Sequence, residues 1–172
     1  DTIPTLTQIL DGKNPANTKA VRSIYEPSLK YQYSGGGTTI SQLIVEDVTG
    51  LPYDEYMWKN VLKPIGMINS SYTQPPTKTV EKLLATGYYN NGKPVKGKYH
   101  IYPEQAAAGL WTTSNDLANY VIETQLALEG KSHKVLNREM TMLRLTPYVD
   151  SSSGFGILIL KKGGVKYFNN GG

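Results

Sequence analysis

Tyr33 and Ser34 stand directly before three glycines in the stretch "KYQYSGGGTTISQLI", and an amphipathic run follows. A phenol so placed has two readings. It is the tyrosine of a structural turn, or it is proton-transfer equipment held at the mouth of a helix. Three consecutive glycines give up backbone entropy and packing, which a fold tolerates where φ is unusual or something approaches the backbone closely. Other chemistry is thin. His100 and His133 lie far apart in unrelated contexts, whereas a metal site needs clustered ligands. The absence of cysteine excludes disulfides and Cys-based zinc sites. Neither a P-loop nor G-x-G-x-x-G after a strand occurs, and G-x-S-x-G is missing too. Glu46, Asp47, Asp54 and Glu55 are expected as solvated charge on helix surfaces, and no cofactor or metal is implied.

The elements that must position Tyr33 follow from periodicity. Residues 1 to 30 hold a short apolar segment, 3–10, and then a polar loop. A helix is expected from Thr39, where Thr39-x-x-Gln42 suits a capping box and Ile40, Leu43, Ile44 and Val48 recur at helical spacing. Gly50 is its stop. A second helix follows, with Pro52 at its first position, the stripe Tyr53, Tyr56, Met57 and Val61, and Pro64 as terminator. Asn91-Gly92 between Tyr and Val residues is a hairpin signal. In "AAAGLWTTSND" small residues leave room for another backbone, and Thr113-x-x-Asp116 caps a third helix with Leu117, Tyr120, Val121 and Leu128 on its inner face. Gly130 ends it, and Asn137 caps a fourth helix that stops before Pro147.

The last segment, "GFGILILKKGGVKYFNNGG", reads as two strands joined by Lys-Gly-Gly. Phe155, Ile157 and Ile159 alternate with Leu158 and Leu160, so both faces are apolar and call for cover on both sides. The strand pair therefore reads as part of a larger sheet. The expected class is α+β.

Bulk properties narrow the partners. The 172 residues suit one domain with a real core, and 39% hydrophobic with 19% charged content is that of a globular chain. Thirteen tyrosines against two phenylalanines favour half-wet surfaces and clefts. Net charge is +4, but the basic residues are scattered, with Lys161-Lys162 the densest pair. Without a basic stripe or module, no nucleic-acid partner is expected. No apolar run approaches membrane-spanning length, and Asp1-Thr2-Ile3-Pro4 is not a signal peptide.

Taken in order, "YQYSGGG", "EDVTG", "YDEYMWKNVLKPIGM", "AAAGLWTTSNDLANY", "GFGILIL" and "FNNGG" run along nearly the whole chain. Together they resemble the serine β-lactamase-like family, which includes class C β-lactamases, D-Ala-D-Ala carboxypeptidases and related esterases of the penicillin-binding type. The resemblance covers about residues 4 to 172, and "VLKPIGM" and "AAAGLWTTSNDL" are its most specific parts.

The resemblance implies a β-lactamase/transpeptidase-like fold: a helical lobe over about 1–150 and the start of an antiparallel sheet over about 151–172, incomplete as it stands. It also implies acyl-enzyme chemistry with three elements. A serine in Ser-x-x-Lys attacks an acyl carbon, because a free hydroxyl needs an adjacent base. A Tyr-x-Asn tyrosine shuttles the proton, and a Lys-x-Gly or His-x-Gly motif lines the carboxylate end of the substrate. By position Tyr33 matches the catalytic tyrosine, with Gly35 where the asparagine would stand. Asn170 and Gly172 match the third motif, with asparagine in place of the cation. No serine lies in Ser-x-x-Lys, so the chain is expected to be a fragment that does not turn over. The implied substrates are D-Ala-D-Ala-like peptides, β-lactams or small esters, in a periplasmic or secreted setting, and the missing N-terminal segment could be a separate polypeptide partner. The rival reading is a degenerate, non-catalytic relative that binds cell-wall peptide or a protein, favoured by Gly35 and Asn170.

Overall fold

The computed structural model describes residues 2–171. Helices and a short antiparallel sheet make it α+β, as the sequence predicts. Two compact units divide the chain. The first takes the described residues up to Val21 together with Ser34–Asp116, and the second takes Arg22–Tyr33 with residues 117–171.

In the first unit, α1 (Leu6–Asp11) opens on a capping box. Thr5 Oγ1 accepts the Gln8 N–H at 3.3 Å while Gln8 Oε1 accepts the Thr5 N–H at 2.9 Å. The next helix, α2 (Gly35–Thr49), starts four residues before the expected Thr39. Ser34 is its N-cap, extended at φ −151°, with Oγ accepting the Gly37 N–H at 2.9 Å. The box expected at Thr39 does not form, because both of its residues lie inside the helix and are buried, at 1% and 2% exposure. Instead, Gln42 accepts the Ala106 N–H at 3.0 Å and donates to the Pro103 carbonyl at 3.3 Å. A serine cap and these distant partners override the low helix propensity of three glycines. Gly50 closes the helix as expected, with φ 67° and its N–H on the Glu46 carbonyl at 2.8 Å. The apolar stripe behaves differently: Ile40, Ile44 and Val48 are exposed, Val48 at 80%.

After Pro52 come α3 (Tyr53–Met57) and a π-helical turn (Trp58–Leu62). Tyr53 is buried edge-on against Tyr72, with ring centroids 5.2 Å apart. Burial pushes its hydroxyl up in pKa, and Tyr72 adds to the shift. Two carboxylates expected as solvated charge have structural work. Glu46 Oε1 accepts the Tyr53 N–H at 3.2 Å, and Asp54 Oδ2 accepts the Thr73 hydroxyl at 2.8 Å. The core of this unit holds Ile9, Tyr53, Leu62, Ile65, Met67 and Val95.

The Asn91-Gly92 turn forms, but strand pairing there is a single bridge between Tyr88 and Pro94. Pro94 has no N–H with which to extend a ladder. The remaining helices here are α4 (Lys78–Glu81, before the turn) and α5 (Gln105–Ala108), while α6 (Ser114–Leu128) starts in this unit and has its residues from Leu117 in the second. Thr113 caps α6 as expected, its Oγ1 accepting the Asp116 N–H at 3.2 Å.

In the second unit, α6 buries Glu123, Thr124 and Ala127, whereas the expected inner residues Leu117 and Val121 are exposed. Glu123 explains part of this inversion. It accepts the Ser132 hydroxyl at 2.7 Å and the Lys134 N–H at 3.1 Å, tying down the loop after the helix. Asn137 caps α7 (Arg138–Arg144) through the Met140 N–H at 2.9 Å. The sheet runs in the order β1 (Ser153–Gly154), β2 (Ile157–Lys162), β3 (Val165–Asn169), all antiparallel. Gly163 and Gly164, at φ 58° and 77°, supply the two left-handed positions of a tight hairpin. Ile157 and Ile159 pack with Leu145, Leu128 and Phe168, while Leu160, Val165 and Tyr167 are exposed. Phe155 does not share the strand's alternation. It sits in the β1–β2 turn, stacked on Tyr148 at 6.0 Å.

Candidate active site

Tyr33 is the residue immediately before the cap of α2, and it is 77% exposed. Among the described residues its ring and hydroxyl have no hydrogen-bond, ionic or ring partner. The segment leading to it is irregular and rich in exposed apolar side chains, including Ile24, Leu29 and Tyr31. Within it Lys30 places Nζ 3.7 Å from the centre of the Tyr25 ring, a cation–π contact. A cleft of about 580 Å³ is lined there by Ser23, Ile24, Tyr25, Glu26, Pro27 and Leu29.

The glycines after Ser34 divide by role. A Cβ at Gly35 meets nothing within 4 Å, so the position where a motif asparagine would stand has open space. A Cβ at Gly36 falls 2.5 Å from Val21 Cγ2 and 2.8 Å from Cγ1. Close approach of Val21 therefore accounts for Gly36, and the serine cap for the helix start. Neither contact needs the phenol of Tyr33.

Asn170 is exposed and follows β3. No hydrogen bond among the described residues joins it to Tyr33, and Gly172 lies outside the described residues. Three cations of the second unit are engaged with other groups. Lys166 Nζ donates to the Leu145 carbonyl at 2.9 Å, Arg138 Nε to the Leu128 carbonyl at 3.1 Å, and Arg144 to the Tyr120 hydroxyl. Lys161 and Lys162 sit at the hairpin end of β2, opposite Lys166 and Val165, whereas Asn170 lies beyond the other end of β3. Among the described residues no His, Cys, Asp and Glu cluster is arranged to hold a metal.

One buried, hydrogen-bonded carboxylate is a residue that the sequence shows only as a cap partner. Asp116, 2% exposed, accepts the Asn69 N–H at 2.8 Å and the Ser70 hydroxyl at 2.7 Å on Oδ2. Ser70 Oγ also lies 2.7 Å from Thr112 Oγ1. Burial pushes the Asp116 carboxyl up, but the bonds from Ser70, Asn69 and Thr113 outweigh it and hold it below the usual carboxylate range. An apolar-to-polar change along "INSSY", followed 46 residues after Ser70 by an aspartate, gives no periodic signal that pairs the two. The cluster locks the turn after residue 66 to the start of α6. Its Oδ2 takes two short bonds and Oδ1 a longer one from Asn69 Nδ2 at 3.4 Å, a set that holds backbone and fits a structural role.

The chain thus carries an exposed tyrosine before a capped, glycine-rich helix start, with a short antiparallel sheet later in sequence. The Beta-lactamase family profile matches residues 11–172, and the chain belongs to that family. Solved structures with the same fold include a penicillin-binding protein from Bacillus halodurans, at 24% identity and TM-score 0.70, covering 95% of this chain and 49% of that one. A D-amino acid amidase from Ochrobactrum anthropi matches at 19% identity and TM-score 0.70, covering 99% of this chain and 49% of that one. A D-alanine carboxypeptidase from Burkholderia cenocepacia matches at 23% and 0.57, covering 74% and 34% respectively. The chain spans about half or less of the length of these proteins. No curated protein sequence matches it.

Proposed function

We propose that this chain is the tyrosine-bearing part of a penicillin-binding-type serine hydrolase that cleaves an amide or ester through an acyl-enzyme. The observation that carries the reading is the family match over residues 11–172, with Tyr33-Ser34 at the mouth of α2. In this reading Tyr33 moves the proton between nucleophile and leaving group, and Gly35, Asn170 and Gly172 line the substrate. The nucleophile comes from a Ser-x-x-Lys segment, which these 172 residues do not contain. A D-Ala-D-Ala-like peptide, a β-lactam or a small ester is the substrate, met in the periplasm or outside the cell.

Labelling with a fluorescent penicillin and a fluorophosphonate, read by intact mass, tests it. The chain alone gives no adduct. A preparation that also carries the Ser-x-x-Lys segment gives a single adduct on that serine. There, Tyr33→Phe slows acylation by about 10²–10⁴-fold, the usual worth of general acid–base help. An adduct on any serine of this chain, or full activity of Tyr33→Phe, overturns the reading. Gly35 and Asn170 favour a second one, a non-catalytic relative whose cleft binds cell-wall peptide or a protein. Its signature is saturable binding with no adduct even when the Ser-x-x-Lys segment is present.

A further inference from the structure

Helix α2 turns its polar side inward. Thr39 and Gln42 are buried, and Glu46 Oε1 accepts the Tyr53 N–H at 3.2 Å, whereas Ile40, Ile44 and Val48 are exposed. At about 3.6 residues per turn these two sets lie on opposite sides of the helix, half a turn apart. Directional bonds fix the inner side. Gln42 Oε1 accepts the Ala106 N–H at 3.0 Å, and its Nε2 donates to the Pro103 carbonyl and to Gln105 Oε1, both at 3.3 Å. Rolling α2 to bury its isoleucines breaks all of these bonds. The apolar stripe is therefore held outward by the part of the fold that is present, and an apolar helix face held outward calls for cover.

We propose that this stripe is the docking face for the Ser-x-x-Lys segment, which packs an apolar helix along Ile40, Ile44 and Val48. Resting on the hydrolase reading, this adds to it the surface on which the nucleophile arrives. The three side chains stand one turn apart and span about 12 Å of helix axis, enough for two turns of a partner packed about 8–10 Å away. Gly37 and Ser41 lie on the same side, toward the mouth of α2. A Cβ at Gly37 meets only Ser34, at 3.4 Å, so this chain's own contacts leave room there for an incoming backbone.

Chemistry selects the occupant. A serine that exchanges a proton with Tyr33 has to come within about 2.6–3.2 Å of its hydroxyl, and Tyr33 directly precedes the cap of α2. Serine and lysine three positions apart share one side of a helix, so a helix laid along α2 presents both together. The solved relatives have chain enough for this, the part matched here being 49% of each. A second copy of this chain would cover the stripe but bring no nucleophile, since none of its serines lies in Ser-x-x-Lys.

The chain has no cysteine, so single thiols report on the stripe without background. Ile44→Cys and Val48→Cys are alkylated with a maleimide, each rate being referred to that of the same variant in denaturant. In the chain alone both react at close to the denatured rate. In the preparation that carries the Ser-x-x-Lys segment both slow by about 10²-fold or more, because a thiol packed under a helix reacts only through local opening. Ile44→Lys leaves the melting temperature of the chain alone unchanged but lowers acylation in that preparation by about tenfold or more, since docking buries an unpaired charge. Ile44→Leu keeps full acylation. Equal thiol reactivity with and without the segment overturns the proposal. So does protection in the chain alone that grows with its concentration, the mark of a second copy on the stripe. A penicillin adduct on the Ser-x-x-Lys serine with the stripe still reactive ends the docking proposal and keeps the hydrolase reading. Protection without an adduct supports the docking and ends that reading.

Discussion

Removing the Asp116 carboxylate should be the most damaging single polar change in the first unit. Two short bonds end on Oδ2, from the Asn69 N–H at 2.8 Å and the Ser70 hydroxyl at 2.7 Å, and the residue is 2% exposed. Bonds to a charged acceptor are worth about 1.5–3 kcal/mol each, against about 0.5–1.5 kcal/mol for neutral ones. Asp116→Asn keeps the shape and one acceptor, so it should cost about 2 kcal/mol. Asp116→Ala takes this acceptor from the buried Ser70 hydroxyl and the partly buried Asn69 N–H, at about 1–3 kcal/mol each, and should cost about 3 kcal/mol or more. For a chain of this length that is a fall in Tm of about 6–12 °C.

Titration gives a second, independent readout. The folded Asp116 lies below its ordinary value because the bonds from Ser70, Asn69 and Thr113 outweigh burial. A depressed carboxylate contributes stability above its unfolded pKa of about 3.9, and that contribution is lost as pH falls through the folded value. Urea unfolding followed by circular dichroism should therefore show the full gap between wild type and Asp116→Asn at pH 7. The gap should close as pH drops below about 4. An Asp116→Ala variant melting within about 1 °C of wild type, or a gap equal at pH 7 and pH 3, would refute the reasoning.

Neighbouring glycines should respond with opposite signs. Gly35→Ala, with open space at its Cβ, should raise stability by about 0.5 kcal/mol, whereas Gly36→Ala, driven into Val21, should cost about 1–3 kcal/mol in the same unfolding assay. On the sheet, Ile159→Ala should cost about 2–5 kcal/mol while Leu160→Lys, on the exposed face, stays within about 0.5 kcal/mol. Asn170→Lys, in a preparation that acylates, should raise kcat/KM for a substrate with a free carboxylate more than for its methyl ester; equal effects on both would remove Asn170 from the substrate site.

Local chemistry makes much of this fold readable. The αL glycine at 50, the caps at Thr113 and Asn137, and the Gly-Gly hairpin are decided by a few adjacent backbone groups, and short-range patterns name them. The start of α2 escapes a local reading because its cap, Ser34, precedes three residues of poor helix propensity, and its inner anchor is Gln42. That glutamine is buried by partners more than 60 positions away. The periodicity rule also fails on α2 and α6, where Thr39, Gln42, Glu123 and Thr124 are buried while Ile40, Ile44, Val48, Leu117 and Val121 are exposed. Apolar spacing reports a core face only when apolar contacts dominate that face. Here hydrogen-bonded polar side chains hold it. For the candidate site, sequence order names Tyr33, but no local pattern reveals that its hydroxyl is unpartnered.

That unpartnered hydroxyl frames what the chemistry requires. Bringing a phenol from a pKa of about 10 to neutral pH takes about 4 kcal/mol of preferential stabilisation of the phenolate. A helix N-terminus in exposed surroundings contributes only about 0.3–1 kcal/mol to an adjacent anion, and its effect fades within the first turn. One cation close to the phenol is worth about 4 kcal/mol where solvent is excluded, at an effective dielectric of about 20 and a separation of about 4 Å. Lys30 is committed to the Tyr25 ring, Lys166 to a helix carbonyl, and the remaining sheet lysines to the hairpin tip. A Ser-x-x-Lys lysine would supply the charge together with the nucleophile it activates. In the proposed function those two groups arrive on one segment, so nucleophile and phenolate are gained together or lost together.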